Sequence, residues 1–381
     1  MERKVYWNAH ALISPLGNTA DANFDAMLAG RRGVQELSGT PVWPAPLYAA
    51  KIDRGIMQEA NAPADLSFFE QLLWLAGKNT LANAAHMPPA DRTLVIISST
   101  KGNIEAIETL ASGAGSFNDL ALAGSARKVS EALGFTHTPL VISNACISGV
   151  MALMAGARYI ASGRYDHVLV LGADVLSYFV LSGFNSFLAL SDGPCRPFDA
   201  DRKGINLGEA AGGVLLSVNP AAGVAQVLVK GAAVTNDANH ISGPSRTGAE
   251  LADAITRALK QAGMQPGRID HISAHGTATP YNDEMETKAF HHAGVQHAPI
   301  TSLKGYFGHT LGAAGIIESI TGVVSLRRET LLPTPGYHTH GVSLPVTVTT
   351  AVQHMPLQTL LKTASGFGGC NAALILEKQM N

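Results

Sequence analysis

Three residues combine reactive side chains with settings that suit bond-making: Cys146, His275 and His309. Cys146 follows a short apolar run, Leu140-Val141-Ile142, and a small polar break, Ser143-Asn144-Ala145. After it come Ile147-Ser148-Gly149 and a stretch built of Val, Met, Ala, Leu and Gly, apolar all round and so suited to a buried helix. A cysteine at that N-terminus meets unpaired N–H groups and the positive end of the helix dipole, which favour the thiolate and hence a nucleophile. The plainer alternative is a small buried hydrophobe, as most free cysteines are. His275 ends an apolar run and opens a turn-rich stretch, Gly276-Thr277-Ala278-Thr279-Pro280-Tyr281-Asn282-Asp283. His309 lies in Lys304-Gly305-Tyr306-Phe307-Gly308-His309, just ahead of a second small-residue helix. Loops at strand ends are where α/β sheets carry their functional groups, although a hydrogen-bonded structural role is open to either histidine alone. Zinc has little support, because CxxC does not occur, the histidines four apart, His271 and His275, fall along an expected strand and not on a helix, and the adjacent His291-His292 lies in a polar stretch that reads as solvated helix surface.

The elements that must position these residues follow from patterning. An opening strand over 5–14 is closed by Pro15-Leu16-Gly17, and a helix is expected over 18–30. Residues 41–64, rich in Pro and polar breaks, read as surface loop. Phe69, Leu72, Leu73, Leu75, Ala76 and Leu81 carry the helical period over 66–86, and 92–99 is a β-branched strand. Residues 103–134 read as mostly helical, interrupted at 112–116, and 182–203 as loop. Strands are expected at 167–171 and 212–218, and Asn219-Pro220-Ala221-Ala222-Gly223 is the best internal boundary. The pattern then restarts: strand 225–234, helix 249–263, strands 269–273 and 298–303, buried helix 311–326, and a Gly-rich turn with a final strand at 372–376. Two halves of similar layout, 1–218 and 219–381, suggest a duplication within an α/β fold.

Composition bounds the rest. With 381 residues, 46% hydrophobic and 15% charged, the chain can bury a large core and is not disordered. A net charge of −2 gives no basic excess for nucleic acid. Three cysteines, sparse and odd in number, fit a reducing compartment. The charged N-terminus lacks a signal-peptide core, and no run approaches about 18 apolar residues, so a cytoplasmic protein off the membrane is expected.

Five ordered segments resemble the β-ketoacyl-acyl-carrier-protein synthases of the thiolase superfamily. They are Asn144-Ala145-Cys146 with Gly149; Pro197-Phe198-Asp199 with Arg202, Gly204, Gly208 and Glu209; the stretch from His275 to Asp283; Lys304 with Gly308-His309 and the run from Leu311 to Gly315; and Gly366-Phe367-Gly368-Gly369 with Asn371-Ala372. The resemblance implies a thiolase-like fold, two pseudo-duplicated halves in a layered α-β-α-β-α architecture. It implies acyl transfer from a carrier-protein thioester to Cys146, then decarboxylative condensation with a malonyl thioester, in fatty-acid or type II polyketide or polyene synthesis. Cys146 and Phe367 would supply the oxyanion-hole N–H groups, with Phe367 also a gate. His275 and His309 would bind the malonyl carbonyl as neutral imidazoles donating Nε2–H. Lys304 would orient them, with Asp283 and Glu286 near it. Thr277 and Thr279 would hold the phosphopantetheine arm, and Glu318 matches a structural carboxylate that the resemblance sets beside a bound monovalent cation. No cofactor is implied beyond the carrier-borne arm. The partners implied are an acidic acyl carrier protein and a second subunit, identical or like a chain-length factor. Arg31-Arg32, Arg127-Lys128 and Arg202-Lys203 are the candidate docking pairs.

The chain also departs from the family pattern. Thr363-Ala364-Ser365 stands for Asn-Ser-Phe, Lys203 replaces an acidic residue, and the loop between Leu190 and Arg196 is short. These changes bear on acyl-chain preference more than on the chemistry. A thiolase would need a second cysteine in a Cys-x-Gly turn, whereas Cys370 is followed by Asn371-Ala372. A Cys-His hydrolase has no role for a second histidine and a lysine. A non-condensing chain-length factor is the alternative from another class, and retention of Cys146, His275 and His309 argues against it.

Overall fold

The strand Ala210–Ser217 is buried along its whole length, which requires helices on both of its faces. Its glycines let them approach. A Cβ on Gly212 would lie 2.9 Å from Ile316, and one on Gly213 would lie 2.2 Å from the Thr80 hydroxyl on the opposite side. This computed structural model describes residues 3–39, 43, 46–113, 115–239 and 243–379.

The first half holds β1 (Tyr6–Ile13), β2 (Thr93–Ser98), β3 (Leu140–Ile142), β4 (His167–Asp174) and β5 (Ala210–Ser217). The second holds β6 (Val227–Asn236), β7 (His271–Ser273), β8 (Ile300–Thr301), β9 (Thr359–Gly366) and β10 (Cys370–Lys378). Strand order is β3-β2-β4-β5-β1 in one and β8-β7-β9-β10-β6 in the other, and the two join where Tyr6 of β1 pairs with Leu228 of β6. Each strand of the first set has a counterpart in the same place in the second. The senses match as well, since the outer three strands are parallel and the inner two antiparallel to their neighbours in both sets.

The longer helices are α1 (Ala20–Leu28), α2 (Phe68–Ala82), α3 (Leu122–Ala132), α4 (Ser148–Ala161), α5 (Tyr178–Ser186), α6 (Ala249–Ala262), α7 (Pro280–His292) and α8 (Ala314–Arg328). α4 and α8 touch each other and strands of both sets, α2 packs on the first set, and α6 packs on β6 and β10 of the second. The result is the five-layered, thiolase-like α-β-α-β-α arrangement. The two central helices cross at glycines. A Cβ on Gly149 would lie 2.8 Å from the Ile316 nitrogen, and one on Gly315 would lie 2.5 Å from the Val150 nitrogen. Small residues there let the helix that follows Cys146 touch the helix that follows His309.

Several local readings change. Within 41–64 the described residues include a strand, Leu47–Ala50, and a short helix, Gly55–Glu59; residues 41, 42, 44 and 45 lie outside the described set. That strand pairs with Val34–Leu37 and Leu207–Gly208 in a small sheet. Short strands at a sheet edge carry too few residues for a clear alternation. The stretch read as loop from 182 opens inside α5, and the turn-rich stretch after His275 enters α7 at Pro280, a residue favoured in the first helical turn. The strand expected over 298–303 shrinks to Ile300–Thr301, and the chain ends in a β9–β10 hairpin rather than a single strand.

Candidate active site

Cys146 is placed by the sharp turn between β3 and α4. Ala145, just before it, has a left-handed backbone, φ +43°, a conformation that costs a non-glycine residue roughly 1 kcal/mol or more and recurs at functional sites. Gly366 of β9 abuts the turn: a Cβ there would lie 3.0 Å from the Cys146 nitrogen. The backbone N–H of the next residue, Phe367, acts on the Cys146 thiol and lowers its pKa. The two backbone donors assigned to the oxyanion hole therefore flank one sulfur.

Both histidines reach the same point. His309 Nε2 lies 2.9 Å from Cys146 Sγ, and the two imidazole rings meet edge to face with centroids 5.3 Å apart. His275 is clamped from below. Lys304 Nζ donates to its carbonyl (2.6 Å) and lies 3.2 Å from its Nδ1, so Nδ1 accepts and the proton sits on Nε2. His309 Nδ1 is buried without a partner among the described residues, and an unmet acceptor costs less there than an unmet donor, which again places the proton on Nε2. Burial, then Lys304, hold both imidazoles well below their ordinary pKa, with His309 and Lys362 adding to the effect on His275 and Lys362 to that on His309. Both rings are thus neutral donors aimed into one space. The ligand atoms of Cys146, His275 and His309 lie within 4.8 Å of one another, close enough to share one metal ion, but Nε2–H tautomers make that set a pair of donors and not a chelate.

Burial pushes the Cys146 thiol up to about 12, with Lys304 acting against it. A helix N-terminus supplies at most about 2 kcal/mol, roughly half of that rise. The expected ready-made thiolate is not what the geometry favours; the resting group is the thiol. Alkylation of Cys146 by iodoacetamide should therefore climb roughly tenfold per pH unit from 7 to 9 without levelling. A plateau below pH 8, read by peptide mass mapping, would show a depressed pKa instead.

The carboxylates around the site divide into two groups. Asp283 and Glu286 form no ion pair with Lys304 among the described residues and instead bind backbone. Glu286 accepts the N–H groups of His275 (2.9 Å) and Gly276 (2.6 Å), and Asp283 those of Phe198 (2.7 Å) and Thr277 (3.0 Å). Both brace the loop that carries His275. Burial raises the Asp283 carboxyl to about 6. The partner of Lys304 is Glu318 (2.8 Å), which also meets Lys362 (2.6 Å). Burial alone would raise Glu318, but the two lysines outweigh it and hold the carboxyl below its ordinary value.

A cavity of about 450 Å³ runs over the cysteine, lined by both histidines, Phe367, Thr277, Thr279 and Ser365 among others. The two threonine hydroxyls bond each other at 2.8 Å. Phe367 is 39% exposed and packs on Phe184 and Phe187, at centroid distances of 5.8 and 5.4 Å. Of the candidate docking pairs, Arg202 is spent internally on the carbonyls of Asp199 and Gly341, whereas Lys203 stands exposed beside the cavity.

Sequence reasoning missed four residues here. Phe184 and Phe187 lay in the presumed loop, though their i, i+3 spacing hinted at one helix face. Asp174, at the end of β4, accepts from Ser99 Oγ (2.6 Å), the Thr100 N–H (3.1 Å) and the Gly312 N–H (2.7 Å), and so fixes the turn between His309 and α8. Lys362 is fully buried; a lone cation in the apolar strand Leu360-Leu361-Lys362 was the available signal.

Comparison with known proteins agrees with this geometry. Residues 4–222 match the β-ketoacyl synthase N-terminal domain and residues 226–338 its C-terminal domain. The 3-oxoacyl-[acyl-carrier-protein] synthase 2 of Vibrio cholerae is 30% identical over 99% of both chains. Nodulation protein E of Rhizobium leguminosarum bv. trifolii is 35% identical over 65% of this chain and 63% of its own. Among solved structures, a chain from the complex of the ketosynthase ApeO with its chain length factor ApeC, from Xenorhabdus doucetiae, has a TM-score of 0.88 at 28% identity, covering 99% of this chain and 98% of that one. With both domain models matched in order and a relative aligned end to end, this chain belongs to the β-ketoacyl synthase family of condensing acyltransferases.

Proposed function

We propose that Cys146 is the nucleophile, that His275 and His309 are the donors for decarboxylation, and that Lys304 positions them. The observation that carries this reading is the 2.9 Å contact between the Cys146 sulfur and a neutral His309, with His275 facing the same space. An acyl thioester on a carrier-protein arm enters the cavity past Thr277 and Thr279. The Cys146 sulfur attacks its carbonyl, whose oxygen turns toward the Cys146 and Phe367 N–H groups. The thiol proton leaves on the departing pantetheine sulfur, so the exchange of thioesters needs no net base. A malonyl thioester then places its carbonyl against both Nε2–H groups. Its carboxylate bond breaks, CO₂ departs, and the electron pair is held as an enolate. The enolate carbon attacks the acyl-Cys146 carbonyl, releasing a β-ketoacyl thioester two carbons longer and a sulfur that takes a proton from solvent. Phe367 gates the cavity, Asp283, Glu286 and Glu318 brace the site, and the catalytic parts divide between halves 1–218 and 219–381. No step calls for a resident cofactor, and a reducing, cytoplasmic setting suits a free nucleophilic cysteine.

The substrate class is an acyl carrier protein loaded for fatty-acid or type II polyketide synthesis, the former from the Vibrio relative and the latter from the Xenorhabdus complex. A second subunit, a copy of this chain or a chain length factor, would sit on the open edge at β3, whose Leu140, Val141 and Ile142 are half-buried. Light scattering that finds only monomers, alone and with a co-expressed partner, would sink that part. The site itself is tested by intact-mass spectrometry after incubation with acyl carrier proteins bearing chains of several lengths. One acyl adduct, mapped to Cys146, is expected; adducts elsewhere would overturn the reading. The rank of donors would show the substrate class.

A further inference from the structure

Lys362 lies outside the reacting groups, yet it is fully buried and its charge is answered only by oxygen. Its Nζ is 3.1 Å from the Ser273 carbonyl, 3.3 Å from that of Ala274, 2.6 Å from that of Thr363, and 2.6 Å from a Glu318 carboxylate oxygen. An ammonium has three protons to give, and here four oxygens surround it. That is a cage built around a positive charge. Oxygen-only sets of carbonyls with one carboxylate are what hard cations take, so with the lysine stem removed the same cage would suit a small monovalent ion.

The cage adjoins His275. Ser273 ends β7, and the carbonyls of Ser273, Ala274 and His275 are consecutive. Lys362 holds the first two and Lys304 the third, and Glu318 joins the two ammonium groups. On the other side of the same peptide stretch, Glu286 takes the N–H groups of His275 and Gly276 and also accepts from the Thr363 hydroxyl at 2.8 Å. Lys362 and Thr363, neighbours on β9, therefore grip the His275 backbone from both sides. Neither lines the cavity.

Resting on the reading of His275 as a decarboxylation donor, we propose that Lys362 is a positioning residue for His275, an internal cation that fills a site otherwise fit for a free monovalent one. Its influence falls on the step that uses His275 and spares acyl transfer to Cys146. A displacement near 1 Å at a reacting group costs about a hundredfold in rate. The test measures CO₂ release from malonyl-loaded carrier protein and the acylation rate of Cys146 separately, in wild type, Lys362→Met and Lys362→Ala. Lys362→Met should lose CO₂ release by roughly a hundredfold, with acylation within about threefold of wild type. In Lys362→Ala, ammonium or methylammonium chloride should restore about tenfold of the loss and raise the melting temperature, neither effect appearing in wild type. Wild-type CO₂ release in a folded Lys362→Met protein, or loss of both half-reactions with no rescue or melting shift in Lys362→Ala, would overturn the proposal. A wild-type protein that releases no CO₂ would instead refute the reading of the site on which it rests.

Discussion

Cys146→Ala is expected to end condensation, with elongation falling more than about a thousandfold, while CO₂ release from malonyl-loaded carrier protein continues. On the proposed mechanism the sulfur is the atom that binds the acyl group, and Cys370, the neighbouring sulfur, keeps to the Phe367 and Asn144 carbonyls at 3.4 and 3.9 Å and does not line the cavity. The donors for decarboxylation are built independently. His275 is fixed by Lys304 and Glu286, and the backbone N–H of His309 by the Asn206 carbonyl at 2.7 Å, so the variant gives up only the contact between the His309 ring and the sulfur. Alanine is smaller than cysteine and leaves the φ +43° turn at Ala145 undisturbed. Intact-mass spectrometry should show no acyl adduct on the variant, and a CO₂ assay should show turnover uncoupled from chain growth. An adduct on Cys146→Ala would remove the cysteine from its role. A loss of CO₂ release together with the adduct would tie the two half-reactions to one group and contradict the division of labour drawn above.

Glu318→Gln should produce the largest loss of stability of any single change at the site. The carboxylate lies between two fully buried ammonium groups, 2.8 Å from Lys304 and 2.6 Å from Lys362. Removing the shared counter-charge leaves two like charges unpaired in a dry interior, and breaking one buried ion pair already costs about 3–5 kcal/mol. The sign with pH follows from the depressed carboxyl. Its stabilising contribution is complete above the ordinary glutamate value and is lost as pH falls toward the lower folded-state value. Wild type should therefore lose stability through that acid window, and Glu318→Gln, already destabilised at pH 7, should show a flatter acid limb. Urea melts at pH 7 and across pH 3–5 would check both. Equal stability of the two proteins at pH 7 would mean that one of the lysines is neutral in the folded chain.

Much of the site is legible in the sequence because its residues break local rules. A cysteine between an apolar strand and an apolar helix, a histidine at a strand end before a glycine, and another just ahead of an apolar helix are conspicuous without a structure. The central helices are legible for the same reason, since runs such as Val150-Met151-Ala152-Leu153 leave no polar face. What escaped is what depends on distant partners. Lys362 looks like a surface lysine until both faces of β9 are seen to be covered, and Asp174 looks like the end of a strand until Gly312, 138 residues on, is seen to donate to it. The strand Leu47–Ala50 is formed by its neighbours more than by its own four residues. The thiol of Cys146 shows the same limit, because a helix start is visible in sequence whereas the depth of burial that outweighs it is not.

The turn into α4 carries left-handed Ala145 one residue before the cysteine; the turn toward α8 carries left-handed Leu311, φ +50°, two residues after His309. These are corresponding corners of the repeated strand order, placed face to face by helices that cross on Gly149 and Gly315. A single ancestral corner, present twice and brought against its own copy, would have offered two versions of one strained turn on either side of a gap. On the proposed mechanism the paired copies were free to specialise, one keeping the sulfur that attacks and then carries the acyl group, the other the histidines that steady the enolate. On that reading neither half holds a working centre alone. Selection on the chemistry is therefore selection on the fit between the halves, and a substitution at the glycine crossing, distant from substrate, would be felt as a misaligned pair of corners.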